Sequence, residues 1–202
     1  MEWKECKAYI LCDYNRNRDN KLQHGNLVRY LIAIVRSESF KVTFWFRLLS
    51  FLRSKTWGKL TFYYPLRLYY QHISHVTGIQ LPIGTKVGRG IHFFHFGTVV
   101  IANRAVIGKN ASIHQGVTIG RIFAGPRSGV PTIGDNVVIF AGAKIVGNIT
   151  VGDNAVIGPN AVVIEDIPAN SIAVGIPTRI VSNDSSRCFN KRWGEAFEHS
   201  YQ

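Results

Sequence analysis

Seven histidines occur in the 202-residue chain, and three of them, His92, His95 and His114, fall in one short stretch with phenylalanines and glycines. Neutral imidazole near pH 7 suits the removal of a proton from a hydroxyl that is otherwise a poor nucleophile, and it also ligates metals. The surroundings narrow this chemistry. No carboxylate occurs between Glu38 and Asp135, a gap of 96 residues. A histidine in that gap must be oriented by a backbone carbonyl, by an amide such as Gln80 or Asn103, or by a group from another subunit. The three cysteines, Cys6, Cys12 and Cys188, show no CxxC spacing. They argue against a disulfide framework and a structural zinc site, and fit a reducing compartment.

Elements must hold these residues, and composition limits which. At 46% hydrophobic and 18% charged the chain can bury a core, which excludes a disordered tail. With 24 Lys+Arg against 12 Asp+Glu the formal charge is +12, which implies an anionic partner. Residues 1–78 carry 13 of the bases and 5 of the acids. Helical spacing of Leu27, Tyr30, Leu31, Ile34 and Val35, and of Phe44, Leu48, Phe51 and Leu52, predicts an α-helical region there. Pro65 starts or breaks a further helical segment that runs to Gly78. Arg47, Arg53, Lys55 and Lys59 are expected to form a basic face for anionic lipid or a lipid-linked substrate. No nucleic-acid motif accompanies the charge, so nucleic acid is not expected as a partner. No stretch is long and apolar enough to span a membrane, and the first thirty residues lack a signal-peptide core, so a cytoplasmic location is expected, peripheral to the membrane's inner face at most.

The second half repeats. Aliphatic residues stand six apart at Ile101, Ile107, Ile113 and Ile119, and again at Ile133, Ile139, Ile145, Val151, Ile157 and Val163. Four positions after nearly every one sits a second apolar residue, from Ala105 to Ile167. Neither a helix nor a plain strand has this period; a short strand followed by a tight turn does. Each unit becomes one flat face of a coil, and stacked coils bury a continuous aliphatic column. Between Ile119 and Ile133 the spacing is fourteen, so a loop around RIFAGPRSGV must leave the coil. Such a loop on a rigid scaffold is a usual place for substrate contacts.

The units IANRAV, IGKNAS, IHQGVT, IGDNVV and IGPNAV resemble those of the hexapeptide-repeat acyltransferases. The resemblance implies a mainly β fold: a left-handed parallel β-helix over 79–181, an N-terminal helical region over 1–78 and a tail over 182–202. HFFHFGTVVIANRAVIGKNASIHQGVTIG is similar to serine acetyltransferases and, more closely, to their relatives that O-acetylate capsule and exopolysaccharide sugars. GIPTRIV resembles the ending of the same group.

The resemblance further implies an acetyl-CoA-dependent O-acetyltransferase, assembled as a homotrimer. His95 matches the catalytic histidine, which acts as general base; His114, predicted to lie one coil above, orients the acceptor or donates to the oxyanion. The pantetheine of acetyl-CoA would run past Gly120, Ala141, Gly142 and Pro159, with Arg179 near the nucleotide phosphates. His92, Phe94, Arg121 and Arg127 are the substrate-binding candidates, the two arginines carried on the loop. No metal is implied, since the zinc enzymes of this fold space two histidines differently from His92 and His95.

The chain departs from serine acetyltransferases where those proteins have an aspartate before the histidine, here Phe94, and a His-Pro pair, here Val130-Pro131. Near Gln80 it also lacks the aspartate that partners the histidine. These departures favour a sugar hydroxyl over serine as acceptor, with Phe93, Phe94 and Phe96 as an apolar wall for a pyranose ring. A polysaccharide or lipid-linked sugar is thus the expected substrate, serine O-acetylation the alternative enzyme, and an inert β-helical scaffold the alternative outside catalysis.

Overall fold

The computed structural model describes residues 2–17, 27–55 and 62–188. His24, Lys59, His199 and the tail beyond residue 188 lie outside the described residues. Among the described residues four helices come first: α1 (Trp3–Arg16), α2 (Leu27–Arg36), α3 (Glu38–Arg53) and α4 (Tyr64–Thr77). Ser37 caps α3 by accepting a hydrogen bond from the Phe40 N–H at 3.2 Å. Pro65 sits in the first turn of α4, where a missing N–H costs nothing. Gly78 ends α4 at φ 68°, and a Cβ there would stand 2.9 Å from the Thr98 nitrogen. Only glycine both adopts that turn and lets the first coil pass so close.

The remainder is a three-sided prism of short strands. Its first face pairs β1 (Ile79–Gln80), β4 (Val99–Ile101), β7 (Thr118–Gly120), β10 (Lys144–Val146) and β13 (Val162–Val163). The second pairs β2 (Lys86–Val87), β5 (Val106–Ile107), β8 (Thr132–Ile133) and β11 (Thr150–Val151). The third pairs β3 (His92–Phe93), β6 (Ser112–Ile113), β9 (Val138–Ile139), β12 (Val156–Ile157) and β14 (Ile172–Val174). All these pairings are parallel, and β15 (Arg179–Ser182) returns antiparallel to β14. The six-residue Ile and Val positions from Ile101 to Val163 are at most 2% exposed. Burying each side chain of that kind stabilises by about 1.5–3 kcal/mol, so the column is the main apolar contribution to the prism.

One edge of the prism is held by amides. Asn110, Asn136, Asn154 and Asn170 all adopt positive φ, between 56° and 59°. Asn110, Asn136 and Asn154 each donate from Nδ2 to the Oδ1 of the asparagine one coil further on, at 2.9–3.1 Å, and Asn170 accepts the last of these bonds. Asparagine tolerates the left-handed conformation and satisfies its own polar side chain by stacking.

The register breaks twice before Thr132 and once more after it, where Val156 pairs with Ile172, sixteen residues on. Ile79 pairs with Val99, Lys86 with Val106 and His92 with Ser112, each twenty residues on, whereas Val100 pairs with Thr118, eighteen on. Two extra residues therefore lie between Phe93 and Val99. Thr118 pairs with Lys144, twenty-six on, and Thr132 with Thr150, eighteen on. That places eight extra residues between Thr118 and Thr132, in the loop expected from the spacing.

The first coil has no strand beneath it, and side chains of the helices take that strand's place. Asp13 Oδ1 accepts from the N–H groups of Gly90 (2.7 Å) and Ile91 (3.2 Å). Arg47 donates to the carbonyls of Val87 and Gly88, both at 2.6 Å, and its Nε donates to Asp13 Oδ2 at 2.9 Å. Ser39 Oγ accepts from Phe93 N–H, Tyr70 donates to the Leu81 carbonyl and Ser74 to that of Ile79. Complete burial pushes the Asp13 carboxyl up from the usual carboxylate range, against the pull of the Arg47 guanidinium.

This overturns the basic lipid-facing surface expected on the helices. Arg47 is 2% exposed and spent on the ion pair, because an open strand end leaves carbonyls that need donors. Lys55 is held 2.9 Å from Glu2. Among the described residues, no helix is long and apolar enough to cross a membrane.

Candidate active site

Each coil turns three corners, and the corner between the third and first faces carries the histidines. The two-residue extension after Phe93 pushes His95 and Phe96 out of the prism, both exposed. Gly97 and Thr98 absorb the bulge at φ 108° and 27°. Extra residues at a corner leave the column below undisturbed and free the ones above it for chemistry.

The extension also decides what lies above what. Phe94, not His95, is in register with His114, and the two rings stack at 4.3 Å with an interplanar angle of 3°. Phe140 covers the other face of His114 at 4.9 Å and 24°. His95 stands beside this stack, its ring centre 6.5 Å from that of His114. His92 tilts against Phe94 at 4.4 Å from the strand below. Phe140 was missed from sequence, although subtracting the eight-residue loop from its distance to His114 would have found it.

Burial sets the proton chemistry. It holds His92 down to about 3, helped by the positive charge of Arg16, which binds Ser112 and the Asn110 carbonyl in the next coil. Burial, and then His95, also lower His114, whose Nε2 is buried with no hydrogen-bond partner. Both imidazoles are therefore neutral near pH 7, and only His95 of the three is open to solvent. Neither Gln80 nor Asn103 bonds His95. Both line a cleft at the corner between the first and second faces. Among the described residues, no three His, Cys, Asp or Glu side chains are grouped to hold a metal ion.

The remaining candidates divide between two edges. Ala141, Gly142 and Pro159 follow His114 up the histidine edge, linked by Gly142 N–H to the Gln115 carbonyl and Asn160 N–H to that of Ala141. Gly120 ends β7 on the opposite edge of the first face, where Arg121 and Arg127 leave on the loop. The loop is a hairpin closed by Ile122 and Gly129 and laid against Asn148, whose N–H bonds the Arg127 carbonyl. Arg121 covers the Phe123 ring at 5.2 Å, and Arg127 approaches Glu165 to 4.0 Å. Arg179 faces a cavity of about 480 Å³ shared with Glu165 and Asp166.

The pyranose wall does not form. Phe93 is 2% exposed inside the prism, Phe94 is committed to the His114 stack, and Phe96 alone, at 62%, is free. Strand alternation turns neighbouring phenylalanines to opposite sides, so three in sequence do not make one surface.

Comparison with known proteins points the same way. Residues 131–165 match the model of the bacterial transferase hexapeptide (six repeats) family. The chain is 40% identical over 125 residues to a serine acetyltransferase of Staphylococcus aureus, covering 62% of this chain and 56% of that protein. It thus spans little more than half the length of this curated relative. Among solved structures, soybean serine acetyltransferase complexed with serine superposes with a TM-score of 0.72 at 31% identity, over 88% of this chain and 70% of the other. A serine acetyltransferase in complex with CoA gives 0.66 at 32%, over 88% and 68%.

These likenesses bear out the left-handed β-helix with its N-terminal helices, and they correct the expected kinship with capsule and exopolysaccharide enzymes, together with the sugar acceptor and lipid-linked substrate that rested on it. Phe94 and Val130 replace side chains typical of serine acetyltransferases within a backbone shared with them over most of the chain. The fold, the exposed histidine at the broken corner and these relatives together place the chain in the serine acetyltransferase family of hexapeptide-repeat acyltransferases.

Proposed function

We propose that this chain transfers the acetyl group of acetyl-CoA to the hydroxyl of serine, with His95 as general base. The observation that carries the reading is the position of His95: the exposed imidazole on a corner extended by two residues, in a fold shared with serine-bound and CoA-bound relatives. His95 takes the proton as the hydroxyl oxygen forms its bond to the thioester carbonyl carbon. The C–S bond then breaks, and the imidazolium returns the proton to the departing CoA sulfur. Base catalysis of this kind contributes about 10²–10⁴ in rate.

His114 acts as a positioning residue. Its ring, clamped between Phe94 and Phe140, fixes the backbone from which His95 projects. The division of candidates between two edges supports a homotrimer in which the histidine edge of one copy faces the loop edge of the next. Ala141, Gly142 and Pro159 then form one wall of the acetyl-CoA groove, and Gly120, Arg121, Arg127 and Arg179 the other. A groove built from two copies also draws on acids that one histidine corner lacks.

The test combines purified full chain, acetyl-CoA and serine, with thiol release followed and the product identified by mass spectrometry. O-Acetylserine formed in proportion to thiol supports the reading. Thiol release unchanged by serine overturns it. Light scattering checks the assembly, with a mass three times that of the chain expected.

A further inference from the structure

Carbonyls at the corners of the prism need donors as much as those within its strands. At the histidine edge the turns stack over three coils through Gly97, Gly116 and Gly142. The Gly116 N–H donates to the Gly97 carbonyl at 3.5 Å, and the Gly142 N–H to that of Gln115 at 2.9 Å. Among the described residues, no backbone N–H reaches the Gly116 carbonyl. Lys144 supplies the missing donor. Its ammonium donates to that carbonyl at 2.6 Å and to Thr118 Oγ1 at 3.2 Å.

Nothing in the repeat requires a charge there. The outward positions of the first face run Gln80, Val100, Thr118, Lys144 and Val162, and Lys144 alone is charged. Its side chain reaches back one coil, to the turn that follows His114 and Gln115. Gly116 in turn rests on Gly97, which absorbs the extension just after His95. Gly97 is tied on its other side to the end of α4, its N–H donating to the Thr77 carbonyl at 2.8 Å. The bulge is thus pinned between Thr77 below and Gly116 above. A 3.5 Å bond is long, so the charge-assisted bond from Lys144 holds Gly116 more firmly than the coil beneath it does.

We propose that Lys144 is a positioning residue for His95, acting through Gly116 and Gly97. A fixed Gly116 steadies the Gly97 carbonyl, and with it the bulge from which the imidazole projects. Transfer to a hydroxyl is sensitive to misplacement of the base by about 1 Å, so a loosened bulge slows the reaction without weakening either substrate. The inference rests on His95 as general base, whereas the restraint itself does not depend on which hydroxyl it serves.

The test is Lys144→Met in the full chain, which keeps the length of the side chain and removes its charge and donors. With serine as acceptor, kcat should fall about tenfold, the loss typical of a hydrogen bond to a charged group. KM for serine and for acetyl-CoA should stay within about twofold, since no substrate contact is removed. Hydrogen exchange read by mass spectrometry follows the restraint without any acceptor. Amides of residues 94–100 should exchange faster in the variant, and those of 150–157 at the original rate. Lys144→Arg keeps charge and donors, and should return both turnover and protection. A raised KM for acetyl-CoA at unchanged kcat would make Lys144 a donor-binding group and overturns the proposal, as does unaltered exchange over 94–100. Faster exchange in a protein that does not acetylate serine supports the restraint and overturns the serine reading alone.

Discussion

The coils before Gly120 and those after Thr132 obey the same six-residue rule, yet they are built for different ends. After Thr132 strands on all three faces pair eighteen residues on until the last coil, where Val156 pairs with Ile172 sixteen on, and the asparagine edge runs without interruption. Before Gly120 the first coil is two residues longer, its lower edge is finished by side chains from helices, and all three clustered histidines sit there. Repetition makes a rigid column whose coils are interchangeable. Chemistry needs one place that differs from the others, and here it is supplied by breaking the register and ending the stack.

That contrast can be tested by damage to each part. The largest effect is expected at the broken corner: His95→Ala should lower serine-dependent turnover by about 10²–10⁴ while leaving the unfolding midpoint unchanged. Steady-state rates and a thermal melt on the same preparation check both halves of the claim. Turnover above a tenth of the original would show that another group removes the proton.

Next comes the end of the stack. Asp13→Ala leaves Arg47 buried and unpaired and frees two N–H groups of the first coil. Breaking a buried pair in this way costs about 3–5 kcal/mol. Ile139→Ala, in the regular column, costs about 2–5 kcal/mol through its cavity. Urea titrations should show the Asp13 variant losing the helices' packing first, and the Ile139 variant unfolding as one unit.

A smaller effect follows from pH. Burial keeps His92 neutral in the folded protein down to about 3, whereas the unfolded chain takes up its proton near 6.5. The folded pKa is the lower one, so stability falls as pH drops from about 6.5 toward 3. One group contributes a slope of about 1.4 kcal/mol per pH unit, or roughly 2 kcal/mol by pH 5. Denaturant midpoints between pH 7 and 5 should show this decline, and His92→Gln should flatten it. An unchanged slope would mean that other groups cause the acid sensitivity.

The smallest effect belongs to the repeat. Asn136→Gly keeps the left-handed turn but removes two links of the amide ladder, and should cost about 1 kcal/mol by chemical denaturation. A loss as large as that of Asp13→Ala would erase the distinction between the two parts.

The inward Ile and Val positions, the looped-out segment and the helical start were legible in the sequence because each follows from a period or its interruption. The cap was not. Asp13 and Arg47 lie on different helices, and helical periodicity cannot say which of several arginines turns inward. The stack of Phe94, His114 and Phe140 escaped for a related reason. The place of the two-residue extension decides whether His95 or Phe94 lies under His114, and one residue of slip exchanges the stacked ring for the exposed one. The sugar reading failed because single side chains, Phe94 and Val130 among them, say less about the acceptor than a backbone shared with serine acetyltransferases over most of the chain.

The finished end of the stack has a consequence for the life of the chain outside its active site. A parallel coil with bare N–H and carbonyl groups is a template on which any extended segment can add. Asp13, Ser39 and Arg47 occupy that template before another molecule can, and each reaches it only when α1 and α3 have docked. Until then, a nascent or partly unfolded chain presents the open edge to its neighbours. Loss of α1 thus exposes a strand end that recruits strands from other chains, and the helices guard the prism against fibrous self-association.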